Sequence, residues 1–225
     1  MQVSDVENTV FLFDVDNTLL DNDRVAEDLR QHLAAALGDP AEHQYWLLFE
    51  EVRSELGYAD YLGALQRYRM AHPHDNHLRE ISSFLLNYPF EERLFPRAIE
   101  VLEAFADRGT VTILTDGDVV FQPHKIERSG IGKAVRDRVM LYVHKEQELA
   151  DVETRYPAEH YVLIDDKVRI LDSVKSQWGT RVTTVFPRQG HYALDAESVA
   201  KYPPADYAID HIAELLALDA FRPVG

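Results

Sequence analysis

Two carboxylates, Asp14 and Asp16, stand two residues apart behind the apolar run Val10-Phe11-Leu12-Phe13. Residues at that interval on an extended backbone face the same way, so both acids reach one small volume. Like charges held that close repel unless a cation or a shared proton relieves them. A solvated turn after a strand uses the same residues, and the short pattern alone does not choose between turn and site. Further along, Thr115, Lys145 and the pair Asp165-Asp166 also follow apolar runs. These are residue types suited to phosphate chemistry. A carboxylate attacks phosphorus covalently and splits one hard displacement into two. A hydroxyl and an ammonium hold the non-reacting phosphoryl oxygens and offset their charge. Extra carboxylates suit Mg²⁺, which takes oxygen ligands and keeps several waters.

Such a set works only if the fold brings the four positions together. Apolar runs at Val10 to Phe13, Thr110 to Leu114, Val139 to Val143 and Tyr161 to Ile164 read as buried strands, with further strands at Arg181 to Phe186 and Tyr207 to Ile209. Helices are expected from Pro96 to Arg108, from Pro123 to Ser129, up to Tyr156, through Ile170, Leu171 and Val174, and around Leu215. Strand and helix alternate from Pro96 onward, the signature of a parallel α/β sheet covered on both faces. Parallel strands would place all four chemical positions at one sheet edge, where open α/β sheets hold ligands.

Between the first strand and this alternation, Arg24 to Tyr88 reads as successive helices. Val25, Leu29, Leu33 and Leu37 recur at helical spacing up to Gly38, Asp39-Pro40-Ala41-Glu42 has the form of a capping box, and no strand is apparent. The aromatics of this block fall at core spacing for a small bundle. The block is an insertion, giving an all-α unit at about 21–92 and a discontinuous core at 1–20 and 93–225.

Composition narrows the class. The 225 residues carry 39 acidic and 23 basic side chains, a formal charge of −16. That balance opposes a nucleic-acid surface or an anionic membrane surface. With no cysteine there is no disulfide or thiol chemistry. The first ten residues lack the basic and apolar order of a signal peptide, no apolar run approaches the ~20 residues of a bilayer span, and a cytoplasmic location is the expectation.

The order acid pair, Thr, Lys, acid pair resembles the four motifs of the haloacid dehalogenase-like superfamily along the whole chain. Phe11 to Leu19 looks like its first motif in the phosphatase form, since the dehalogenase branch lacks an acid at the position of Asp16. The resemblance implies a Rossmann-like three-layer core with a helical C1-type cap, and hydrolysis of a small phosphorylated metabolite. It assigns Asp14 as nucleophile and Asp16 as general acid/base. Thr115, Asp116, Gly117 and Lys145 become the phosphate-holding set, and Asp14, Asp16, Asp165 and Asp166 the surroundings of Mg²⁺, with Asp166 the more direct ligand. A phosphomutase, or a phosphate-binding regulatory member with weak turnover, would share this set. Asp116 departs from the family's usual Asn, and Ile170 and Leu171 stand where a further acid or amide is common. Lys125 competes with Lys145 for the third motif, but its mid-helix place suggests a solvated side chain.

Other residues carry weaker readings. His72, His74 and His77 suit a solvated loop better than a metal site. Arg24, Arg188, Gln189 and His191 are candidate substrate contacts. His144 is expected to pack or face solvent, Thr18 to satisfy backbone groups of the first-motif turn, and Gly117 to permit a tight turn.

Overall fold

The computed structural model describes residues 8–218; residues 1–7 and 219–225, which the sequence assigns to the core segment, lie outside the described residues. Strand β1 (Thr9–Phe13) leads into four helices, α1 (Asn22–Leu37), α2 (Asp39–Leu56), α3 (Tyr61–Ala71) and α4 (Leu78–Leu86). The alternating half follows as α5 (Ala98–Ala106), β2 (Thr110–Asp116), α6 (Phe121–Arg128), α7 (Ile131–Ala134), β3 (Val139–Tyr142) and α8 (Leu149–Arg155). It continues with β4 (His160–Ile164), α9 (Val168–Trp178), β5 (Val182–Pro187), α10 (Gly190–Leu194), α11 (Ala196–Val199) and β6 (Tyr207–Ile209).

The six strands form one parallel sheet in the order β3-β2-β1-β4-β5-β6. β1 lies inside it, with Val10 opposite Thr110 of β2 and Thr9 opposite His160 of β4. Its residues alternate between the two faces. Phe11 and Phe13 enter one apolar cluster, Val10 and Leu12 the other. The first is closed by α5, whose Phe105 meets Phe11 and Phe13 edge-on at ring distances of 4.9 and 5.9 Å. The second is closed by α8 and α9, with Trp178 stacked on Tyr161 at 4.2 Å. The result is a three-layer, Rossmann-like α/β fold.

The helical insertion joins the sheet by two adjacent crossings. Leu20 bridges antiparallel to Leu94, Asp21 N–H donates to the Arg93 carbonyl at 2.8 Å, and Phe95 N–H donates to the Leu19 carbonyl at 2.9 Å. Asp21 also caps α1 by accepting from Arg24 N–H at 2.9 Å. The apolar side chains of the insertion, among them Leu29, Tyr45 and Leu85, run without a break into the sheet-face cluster through Leu19, Phe90 and Phe121.

Several boundaries differ from the sequence reading. α2 begins at Asp39 behind Gly38, and no side chain caps it, so the expected capping box is not formed. α5 starts at Ala98 because Arg97 takes a left-handed φ of 64°. α6 starts at Phe121 because the Asp118 carboxylate accepts from Val120 and Phe121 N–H at 2.9 and 2.6 Å. Pro123 then falls in the first turn, where a missing N–H costs nothing. The expected last helix is a 3₁₀ turn, Ile212–Leu216, and α10 and α11 occupy what reads as loop.

Phe105 is fully buried between two strand phenylalanines. Phe105→Ala should therefore lower the unfolding free energy by about 3–5 kcal/mol, measured by urea titration of the two proteins.

Candidate active site

The carboxyl ends of β1, β2 and β4, together with the 3₁₀ turn after β3, bring the motif residues to one edge. Asp14 follows β1 and donates its backbone N–H to the Ile164 carbonyl at 3.0 Å, which ties the ends of β1 and β4 together. Lys145 opens the 3₁₀ turn after β3, with its Nζ 2.5 Å from Asp14 Oδ1, 2.7 Å from Asp165 Oδ2 and 3.2 Å from the Leu114 carbonyl. It is 1% exposed. Burial alone would depress this ammonium, but Asp14, then Asp165 and Asp116, outweigh it and hold the lysine well above its ordinary range.

Asp166 N–H donates to Thr18 Oγ at 3.1 Å, so Thr18 serves the neighbouring strand's turn rather than its own. Burial pushes the carboxyls of both Asp165 and Asp166 upward, Lys145 chiefly opposing at Asp165 and Lys167 at Asp166. Asp14, Asp165 and Asp166 each present a buried oxygen, and these oxygens lie within 4.8 Å of one another. Asp14 Oδ2 and both oxygens of Asp166 lack a hydrogen-bond partner. Buried carboxylate oxygens left without donors are costly, and an all-oxygen set of this size fits a hard divalent cation such as Mg²⁺. Asp16, expected in the same set, contributes no carboxylate to it. Lys125 Nζ holds Asp16 Oδ1 at 2.6 Å and takes the side chain elsewhere.

Thr115 Oγ accepts from Gln122 Nε2 at 2.9 Å. Gly117 makes room for that glutamine, because a Cβ there would sit 2.9 Å from Gln122 Cβ and Cγ. Asp116 accepts from the Lys145 backbone N–H at 2.7 Å, and burial raises its carboxyl, with Lys145 and Lys167 opposing. Its carboxylate therefore positions the third-motif lysine, a use that the departure from Asn does not suggest. Ile170 and Leu171 are buried in the sheet-face core.

Above this group opens a cleft of about 720 Å³, walled by Trp46, Phe49 and Arg53 of the insertion and by Lys167 and Tyr192 of the sheet layer. Asp16, Asp116 and Lys125 line it, whereas Asp14, Thr115, Lys145, Asp165 and Asp166 are buried behind them. Lys125 is 1% exposed and not the solvated position its place in a helix suggests; it donates to Asp16 and, at 2.9 Å, to Asn22 Oδ1. Asn22 Nδ2 in turn donates to Tyr61 OH at 3.2 Å. Arg53 of α2 reaches Tyr192 OH at 3.1 Å, and His144 packs against Gly57, where a Cβ would meet its ring at 2.4 Å.

The weaker candidates separate. Arg24 pairs with Asp28 at 3.0 Å and Arg188 with Asp210 at 2.6 Å, and neither lines the cleft. Gln189 is buried and clamps the first-motif turn, donating to the Thr18 carbonyl at 3.1 Å and accepting from Ile212 N–H at 2.6 Å. His191 does line the cleft, paired with Asp23 at 2.5 Å. His72 contacts Gln44 and His77 contacts Asp75; among the described residues the loop histidines form no metal cluster. Sequence reasoning does not single out Lys167. The one signal for it is its place directly after the strand-ending acid pair.

A family model for haloacid dehalogenase-like hydrolases matches residues 9–169. A solved structure described as a haloacid dehalogenase-like hydrolase from Burkholderia xenovorans LB400 shares 54% identity, covers 95% of this chain and 99% of its own, and superposes with a TM-score of 0.90. At the level of fold, L-2-haloacid dehalogenase from Xanthobacter autotrophicus, solved with chloropropionic acid covalently bound, matches with a TM-score of 0.61 at 16% identity, covering 93% of this chain and 97% of that one. A HAD-hydrolase from Bacillus subtilis bound to magnesium matches with a TM-score of 0.62 at 15% identity over 94% of this chain and 98% of that one. No curated protein matches the chain.

The buried acids set a pH dependence. A carboxyl whose folded pKa is raised costs stability once the unfolded chain ionises, so without divalent cations stability should fall as pH rises above the ordinary value of 3.8 and level off past the raised folded values. Asp166→Asn should then stabilise the protein at pH 7 in EDTA by on the order of 1–3 kcal/mol. In millimolar Mg²⁺ the order should reverse, because only the parent gains from cation binding. Thermal melts of both proteins in the two buffers check this.

Proposed function

The chain belongs to the haloacid dehalogenase-like hydrolases, and from that premise we propose that it is a Mg²⁺-dependent phosphohydrolase of a small phosphorylated metabolite. The observation that carries the reading is the buried trio Asp14, Asp165 and Asp166, in which Asp14 Oδ2 and both oxygens of Asp166 have no donor and call for a cation beside the nucleophile. When bound there, Mg²⁺ would screen the anionic nucleophile from an anionic substrate and polarise the phosphoryl group. The Bacillus subtilis hydrolase that shares the fold was solved bound to magnesium, which agrees with this choice of ion.

In the proposed reaction Asp14 Oδ attacks phosphorus and the bond to the leaving oxygen breaks. Asp16, on the cleft wall, gives its proton to that oxygen and becomes a carboxylate. A water then attacks the aspartyl-phosphate, Asp16 takes the water's proton, and the phosphorus–Asp14 bond breaks to release phosphate. Lys145 fixes Asp14 and offsets its charge. The Thr115 hydroxyl, oriented by Gln122, serves the phosphoryl oxygens. The insertion forms the opposite wall and, on this reading, is the lid that keeps water out and selects the substrate.

Asp16 also favours phosphoryl transfer over dehalogenation. A halide leaves without needing a proton, so an acid/base held by Lys125 at the cleft wall would have no work in the first step.

Purified protein should release phosphate from p-nitrophenyl phosphate in Mg²⁺ and lose that activity in EDTA. Asp14→Asn should lower kcat by at least about 10³-fold and Asp16→Asn by about 10²–10⁴-fold. Chloride release from 2-chloropropionate without any phosphatase activity would overturn the proposal.

A further inference from the structure

An ammonium has three N–H donors, and Lys145 has three oxygens around it, those of Asp14, Asp165 and Leu114, all within 3.2 Å. It is buried behind the cleft with none left for a ligand. Lys125 is likewise engaged, by Asp16 and Asn22. The three arginines on the walls are paired too, Arg53 with Glu50 at 2.8 Å, Arg30 with Glu42 at 2.6 Å and Arg169 with Glu146 at 2.6 Å. Lys167 differs. It lines the same cleft beside Asp116, and its Nζ rests 5.0 Å from the centre of the Tyr192 ring. Among the described residues its ammonium makes no hydrogen bond and no ion pair.

An ammonium with its N–H donors free is needed at this place. Asp116 is an anion on the cleft wall, next to the threonine that would meet the phosphoryl oxygens, and an anionic substrate must pass it. Its hydrogen-bond partner, the Lys145 backbone N–H, is neutral, and the Lys145 ammonium that also faces it is spent on Asp14 and Asp165. At separations of several ångströms in a partly dry cleft, an unscreened carboxylate opposes a phosphate by an amount that changes affinity by orders of magnitude.

We propose that Lys167 is the cation that receives the transferring phosphoryl group in this protein, and that it offsets the charge which Asp116 brings to the cleft. The inference rests on the phosphohydrolase reading. Lys145 holds the nucleophile, and Lys167 meets the substrate. Tyr192 sets the lysine's position through its ring face, an interaction that costs the ammonium none of its donors.

The test is a double-mutant cycle with inorganic phosphate as probe, in full-length protein with Mg²⁺. Lys167→Met should weaken phosphate inhibition of p-nitrophenyl phosphate hydrolysis at least tenfold and lower kcat/KM by a similar factor. Mg²⁺ affinity, read from the cation's effect on melting temperature, should stay within twofold. Lys167→Arg should recover most of the loss, and the penalty of Lys167→Met should shrink at least threefold in an Asp116→Asn background. Phosphate affinity and kcat/KM within twofold of the parent in Lys167→Met would overturn the inference while leaving the phosphohydrolase reading intact. A loss of Mg²⁺ affinity or melting temperature as large as the loss of phosphate affinity would also overturn it, since Lys167 would then be a counter-ion to Asp166. A parent protein that neither hydrolyses phosphate esters nor binds phosphate would remove the reading itself, and this inference with it.

Discussion

Lys145 Nζ lies 2.5 Å from Asp14 and 2.7 Å from Asp165 with almost no solvent around it, and most of the site answers to that arrangement. Taking charges out of water costs several kcal/mol per ion, recovered only where geometry and further hydrogen bonds are good. One lysine among Asp14, Asp165 and Asp166 leaves the group short of positive charge. The shortage appears as oxygens without donors and as carboxyls driven upward by burial. A divalent cation held by these oxygens would answer that deficit.

The sheet makes the arrangement possible. From β1 the chain order runs outward to β2 and β3 on one side and to β4, β5 and β6 on the other. The reversal falls between β1 and β4, and at such a point the loops at the carboxyl ends part to leave a crevice. Asp14 and Asp165 follow those two strands. The Asp14 N–H to Ile164 carbonyl bond keeps the ends in register, so the acids' proximity is a property of the backbone and not of side-chain choice alone.

Much of this is legible in the sequence alone. Apolar runs and their terminators predict all six strands, because a fully buried parallel strand has a one-dimensional signature. Helical spacing of Val25, Leu29 and Leu33 likewise marks the buried face of α1. The motif residues stand out because each follows such a run. What stays hidden depends on partners far away in the chain. Lys125 reads as a surface lysine, and only Asp16 and Asn22, more than a hundred residues earlier, make it a buried one. Arg24 reads as a possible substrate contact until Asp28, one turn on, takes it. Gln189 carries no local sign that it clamps the first-motif turn from beyond the end of β5. The short helices α10 and α11 fall below the length at which periodicity is informative.

The interior place of β1 has a consequence for how the molecule comes into being. Made first, this strand has no neighbour until Thr110 exists to pair with Val10, and its other side waits for His160 to meet Thr9. Pairings across such separations carry a large loop-closure cost and tend to form late. Asp14 therefore spends the synthesis of most of the chain with neither Lys145 nor Asp165 beside it, as an ordinary solvated carboxylate. Its special chemistry is acquired at the end of folding, when the last distant segment arrives.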